Sequence, residues 1–101
     1  SRYIDDDAAY SFAAPTGGVI LLWVQAWSQA FYLQATFYTS LDQVHSMFAG
    51  TNCDVTTGAL TGTTGTDGHI TFSVNSSDSK IYIENRIGTQ RKFGWVIFGV
   101  Y

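Results

Sequence analysis

The sequence predicts an all-β protein: an antiparallel β-sandwich, jelly-roll-like, with one short helical turn. Three observations predict it. Apolar and polar residues alternate with a period of two in several short runs, the signature of half-buried strands. Turn chemistry recurs roughly every eight to twelve residues, the spacing of a two-sheet antiparallel fold. The composition is 46% apolar and 16% aromatic with only 13% charged residues, where ordinary soluble domains carry about 25% charged.

The elements follow in order. Residues 1–6 are a polar, acidic lead-in. From Asp7 the pattern alternates, with Ala8, Tyr10 and Phe12 on one face. Pro15-Thr16-Gly17-Gly18 breaks that strand. Val19-Ile20-Leu21-Leu22-Trp23-Val24 is apolar on both faces, which suits a strand in mid-sandwich or one lying against another subunit. Residues 27–30 read as a loop. In the next strand, residues 31–39, Phe31, Leu33, Ala35 and Phe37 share one face; Tyr32, Gln34, Thr36 and Tyr38 share the other. Ser40-Leu41-Asp42-Gln43 has the form of a capping box. With Leu41, Val44 and Phe48 at helical spacing and Gly50 as a stop, it predicts a short helix or helical turn over 41–49.

Residues 51–68 are rich in Thr and Gly and predict one or two short edge strands. Asp67-Gly68 is a turn pair leading into a strand that opens at His69. Turns at 75–79 and 85–90 separate this strand from Lys80-Ile81-Tyr82-Ile83-Glu84-Asn85 and from a last aromatic strand beginning at Arg91. The chain of 101 residues fits one domain, 1–101. Its start at Ser1 without Met predicts a piece of a longer parent chain. The absence of a run of about 18 apolar residues predicts no membrane insertion.

The net charge of −3 disfavours nucleic acid, which is bound by clustered Lys and Arg. Arg86, Arg91 and Lys92 read as a solvated hairpin end. The one cysteine, Cys53, excludes an intrachain disulfide and reads as a small buried hydrophobe. Nothing near it, His45 or His69 forms a nucleophile motif, and two histidines do not close a zinc site. Asp5-Asp6-Asp7 points alternately along an extended chain, so it reads as a solvated acidic run and not as a calcium site. Asp42, Asp54, Asp67, Asp78 and Glu84 fall at predicted turns or exposed strand positions, which gives no acid–base pair for sugar cleavage. The expectation is a chain that is not an enzyme, with no catalytic residues, no metal and no cofactor.

The aromatics are the remaining candidates, because a ring can stack on a sugar while its polar tip makes a hydrogen bond. Trp27, Tyr32 and Tyr38, with Asn85 and Arg86 at the last hairpin, are the candidate ligand-binding residues. Phe37, Trp95, Ile97 and Tyr101 are the candidate oligomer wall.

The stretch Thr61-Gly62-Thr63-Thr64-Gly65-Thr66-Asp67-Gly68-His69-Ile70-Thr71-Phe72 with Ile81-Tyr82-Ile83-Glu84-Asn85-Arg86-Ile87-Gly88 resembles the C-terminal β-domains of tailed-bacteriophage and prophage structural proteins, the tips of tail fibres, spikes and head fibres. Asp6-Asp7-Ala8-Ala9-Tyr10-Ser11-Phe12 fits the same pattern. The closing run from Phe93 to Tyr101 is more loosely similar to the last strand of C1q/TNF-type trimeric jelly rolls. These likenesses imply a virion location, a homotrimer among other virion proteins, and loops at 26–30, 75–79 and 85–90 presented to a host-surface glycan or protein. A free carbohydrate-binding, lectin-like domain and a capsid-decorating or head-fibre protein are the alternatives.

Overall fold

The computed structural model describes residues 1–25 and 28–100. Nine strands occur among them: β1 Arg2–Ile4, β2 Ala8–Ala13, β3 Gly17–Val24, β4 Tyr32–Tyr38, β5 Gln43–Ala49, β6 Cys53–Thr57, β7 Ile70–Asn75, β8 Lys80–Asn85 and β9 Arg91–Val100. They form two packed sheets, a β-sandwich as the alternation predicted. One sheet has five antiparallel strands in the order β1-β9-β3-β4-β5, and the other has four in the order β2-β8-β7-β6. At the ends of the chain the ribbon β1–β2 lies along β8–β9, one strand in each sheet. The middle departs from a regular wrap, because β3, β4 and β5 run as a meander within one sheet.

The core lies between the sheets. Ile20, Leu22, Leu33, Ala35 and Phe37 project from the five-stranded sheet onto Ile70, Phe72, Val74, Ile81 and Ile83 of the other. The rings of Phe37 and Phe72 meet edge-on at 5.9 Å, the quadrupole-favoured arrangement. Tyr10, Phe12 and Trp95 extend the core as a stack with centroids 5.4 to 5.9 Å apart.

The helix predicted over 41–49 does not form. A 3-10 turn occupies Thr39–Leu41 and Asp42 takes a left-handed φ of 49°. The chain then enters β5 and pairs with β4. Asp42 is fixed there because its carboxylate accepts the Ser76 N–H and hydroxyl, both at 2.7 Å. Nine residues are too few for a helix to hold itself together, since isolated helices need about 12–15, whereas the edge of β4 offers a ladder of backbone partners.

β6 runs parallel to β7, and a parallel pair requires a crossover. Residues 58–69 supply it as an irregular loop laid across the outer face of the four-stranded sheet. That cover explains why Thr71 and Ser73, on the outward side of β7, are buried. Ser73 donates its hydroxyl hydrogen to the Gly58 carbonyl at 2.5 Å. A Cβ on Gly62 would lie 2.3 Å from the Asp7 carbonyl oxygen, so the loop reaches β2.

Candidate functional site

The side of the five-stranded sheet that faces away from the core carries Tyr38, Phe48, Val96, Phe98 and Val100, large apolar side chains that are exposed. Cross-strand register sets it out in rows. Phe48, Gln34, Leu21 and Val96 stand abreast across β5, β4, β3 and β9, followed by His45, Thr36, Val19 and Phe98, then Gln43, Tyr38, Gly17 and Val100. Phe98 is 64% exposed and Val100 74%, high values for side chains of this kind. Tyr32 packs on Phe48 at 5.6 Å. Trp23 lies across Gly94, where a Cβ would come within 2.6 Å of the indole. A hollow of about 670 Å³ opens between Tyr38 and Phe98 over Gly17, Gly18 and Gly99.

These rows hold no Asp, Glu, Lys or Arg, and His45 is the imidazole among them. The cation on this side is Lys92, at the far end of β9, with its ammonium 5.7 Å from the Tyr3 ring centroid. Four strands about 4.8 Å apart and eight residues long at about 3.3 Å each give a projected face of about 500 Å². Patches of about 300–600 Å² are the largest that typical monomers expose, and they often mark function.

The predicted oligomer wall has the wrong parity. Phe37 is 4% exposed and belongs to the core, while Trp95 and Ile97 pack against it. Neighbouring residues of a strand point to opposite faces, so the exposed apolar set of β9 is Val96, Phe98 and Val100. Both parities of this strand are apolar, and alternation alone does not say which one faces the core. The double-sided run of β3 predicted a strand in mid-sandwich or against another subunit; β3 is the central strand of its sheet, and its outward residues Val19, Leu21 and Trp23 lie on this face. Tyr101 and Trp27 lie outside the described residues.

Of the predicted ligand residues, Tyr32 and Tyr38 stand on the outer face, with Gln34 donating to the Tyr32 hydroxyl. Asn85 and Arg86 are consumed by the fold. Asn85 is fully buried; its amide donates to the Ile4 and Thr89 carbonyls at 2.8 and 2.9 Å, and its oxygen accepts the Ile87 N–H. Arg86 pairs with Asp7 at 3.0 Å and donates to the Gly65 carbonyl at 2.8 Å. Asp7 holds its guanidinium pKa above the ordinary value. The basic residues do not form one hairpin end, because Arg91 and Lys92 alternate across β9 while Arg86 is tied to Asp7.

The acidic run is exposed to solvent, as expected, and it also acts as a clamp. Asp5 accepts the Gln90 side-chain amide, Asp6 the Gly88 N–H at 2.8 Å, and Asp7 the Arg86 Nε–H. The loop at 85–90 is thereby fastened to the start of the chain. Glu84, expected at a turn or an exposed strand position, is instead fully buried under the crossover loop. The Cys53 thiol is buried, donates to the Ala30 and Tyr32 carbonyls, and has its pKa pushed up by burial to about 11. His69 sits with Nδ1 2.8 Å from Asp54 Oδ2; a carboxylate only accepts, so Nδ1 carries the hydrogen. Among the described residues no three His, Cys, Asp or Glu side chains converge to hold a metal ion. Comparison with protein-family models, curated proteins and solved structures gives no match.

Proposed function

We propose that this chain is a non-enzymatic virion structural module of the fibre- or spike-tip kind, which assembles with copies of itself and presents its loops to a host surface. The observation that carries the reading is the uncharged apolar face of the five-stranded sheet. Water contact at Phe98, Val96, Val100 and Leu21 is costly, and apolar surface on neighbouring copies needs no charge complementarity to cover it. A projected area of about 500 Å² approaches the ~800 Å² per partner of a stable interface once the relief of the side chains is added. The sequence likeness to phage fibre and spike tips supports threefold assembly in particular. The wall is then built from Leu21, Val96 and Phe98 in place of Phe37, Trp95 and Ile97.

Light scattering on the 11.1 kDa chain tests this directly. A stable species near three times that mass is the expected result, and Phe98→Asp should convert it to monomer without unfolding it, since Phe98 is mostly exposed. A wild-type monomer at about 100 µM, a concentration at which weak assembly is driven by mass action, would sink the reading.

A further inference from the structure

The opposite side of the molecule carries a second, chemically different feature. Between β6 and the crossover loop lies a hollow of about 340 Å³, lined by Asp54, Thr56, Leu60, Thr64, Thr66 and Thr71. That volume is within the range of about 300–1,000 Å³ of small-molecule sites. Two of the polar groups near it are already engaged. Thr64 bonds to Thr61 through both the hydroxyl and the Thr61 N–H, at 2.9 and 3.0 Å. Asp54 Oδ2 takes the His69 hydrogen. The hydroxyls of Thr56, Thr66 and Thr71, and Asp54 Oδ1, have no hydrogen-bond partner among the described residues, and the side chains that bear them line the same hollow.

We propose that this hollow binds a neutral sugar. A threonine hydroxyl both donates and accepts, and a carboxylate oxygen accepts from more than one hydroxyl; together they match adjacent sugar hydroxyls, which also do both. No Lys or Arg lines the hollow, which disfavours a phosphate or carboxylate ligand. Asp54 already faces His69, which disfavours a bare cation. Leu60, buried at the wall, supplies apolar contact for the C–H groups of a ring.

The frame is preorganised, so little ordering cost opposes binding. Glu84 accepts the N–H groups of Gly62, Thr64 and Gly65 at 2.8, 3.1 and 2.7 Å, and Arg86 holds the Gly65 carbonyl. The hollow faces away from the apolar sheet, so an assembly joined through that sheet would display one hollow per copy, and avidity would multiply a weak single-site affinity. The site supplies the attachment half of the function proposed above and rests on that reading only for its biological partner.

The test uses the ¹⁵N-labelled full chain titrated with the methyl glycosides of glucose, galactose, mannose and N-acetylglucosamine up to about 50 mM, enough to see millimolar binding. At least one glycoside is expected to give saturable shifts at the amides of Asp54, Thr56, Thr66 and Thr71. Asp54→Asn should weaken that binding about tenfold or more by removing a charged acceptor. The pair Thr56→Val with Thr66→Val should do the same, and carries the test if the Asp54 variant unfolds. Phe98→Asp should bind sugar like the wild type, so loss of assembly and loss of sugar binding are read separately. No shifts with any glycoside, unchanged binding in the variants, or shifts centred on Tyr38 and Phe98 would each overturn the proposal.

Discussion

Glu84→Gln is the substitution with the largest consequence for its size. Glu84 stands one residue before the end of β8, opposite Thr71 on one side and Ala9 on the other, and is fully buried. Oε2 accepts two loop N–H groups and Oε1 a third, so the crossover loop wraps the carboxylate in a concave set of amides of the kind that binds anions. Hydrogen bonds to a charged group contribute about 1.5–3 kcal/mol each. Glutamine keeps one oxygen for Gly62 and Thr64 but turns an NH₂ donor toward the Gly65 N–H. One charged bond is lost, two donors oppose each other, and the other two bonds lose their charge. The cost should be about 3 kcal/mol, and Glu84→Ala, which orphans all three amides, should cost about 4 kcal/mol or more. Either is a large part of the roughly 5–15 kcal/mol that holds a domain folded. Urea unfolding reads it: with a slope of about 1–3 kcal/mol/M, the Glu84→Gln midpoint should fall by about 1 M or more. Hydrogen exchange at Gly62, Thr64 and Gly65 should quicken more than at Ile83. A Glu84→Gln protein within about 0.5 kcal/mol of wild type, the spread of neutral surface changes, would refute the claim that this carboxylate fastens the loop.

Three further outcomes follow from two other parts of the fold. Cys53, its pKa raised by burial from 9.0 to about 11, should hold about 100-fold less thiolate than a free thiol at pH 8, so iodoacetamide should label it slowly when native and quickly in urea; equal rates would contradict its burial. Because the folded pKa is the higher one, its contribution to stability is complete below pH 9 and is lost as pH rises toward about 11, which alkaline unfolding of Cys53→Ala against wild type should reveal. Gly94→Ala places a methyl group within 2.6 Å of the Trp23 ring; it should cost about 1–2 kcal/mol, in the range of overpacking, and shift tryptophan emission, while an unchanged melting temperature and spectrum would show that the indole is free to move aside.

The fold was legible in the sequence because burying one face of a sheet writes itself into the chain with a period of two. Ala8, Tyr10 and Phe12 on β2, and Leu33, Ala35 and Phe37 on β4, point to the core as their alternation says. The turns at Asp67-Gly68 and 75–79 were readable for a similarly local reason: Gly supplies a positive φ at Gly68, and short polar side chains such as Asn75 bond their own backbone two residues on. Where the local signal was ambiguous, tertiary partners decided. Residues 43–49 carry a helical pattern but form a strand, because β4 offers six residues for backbone pairing and Ser76 holds Asp42 in a left-handed turn.

The candidate sites were less legible, and for a physical reason. Sequence gives a residue's type and parity, but not which parity faces the core when both are apolar, nor which polar groups find partners far along the chain. β9 is apolar on both sides, so only the position of the second sheet separates half-buried Trp95 and Ile97 from exposed Val96 and Phe98. Asn85, Arg86 and the three aspartates have the composition of a binding loop, yet bonds spanning most of the chain, Asn85 to Ile4 and Arg86 to Asp7, bind them to the fold itself. Conversely, Asp54, Thr56, Thr66 and Thr71 are unremarkable in order along the chain and share one hollow only because β6 pairs parallel to β7 under a loop that Glu84 holds down. The sequence alone determined a neutral, aromatic β-sandwich. The pairing of its strands decided which of its faces are left for other molecules.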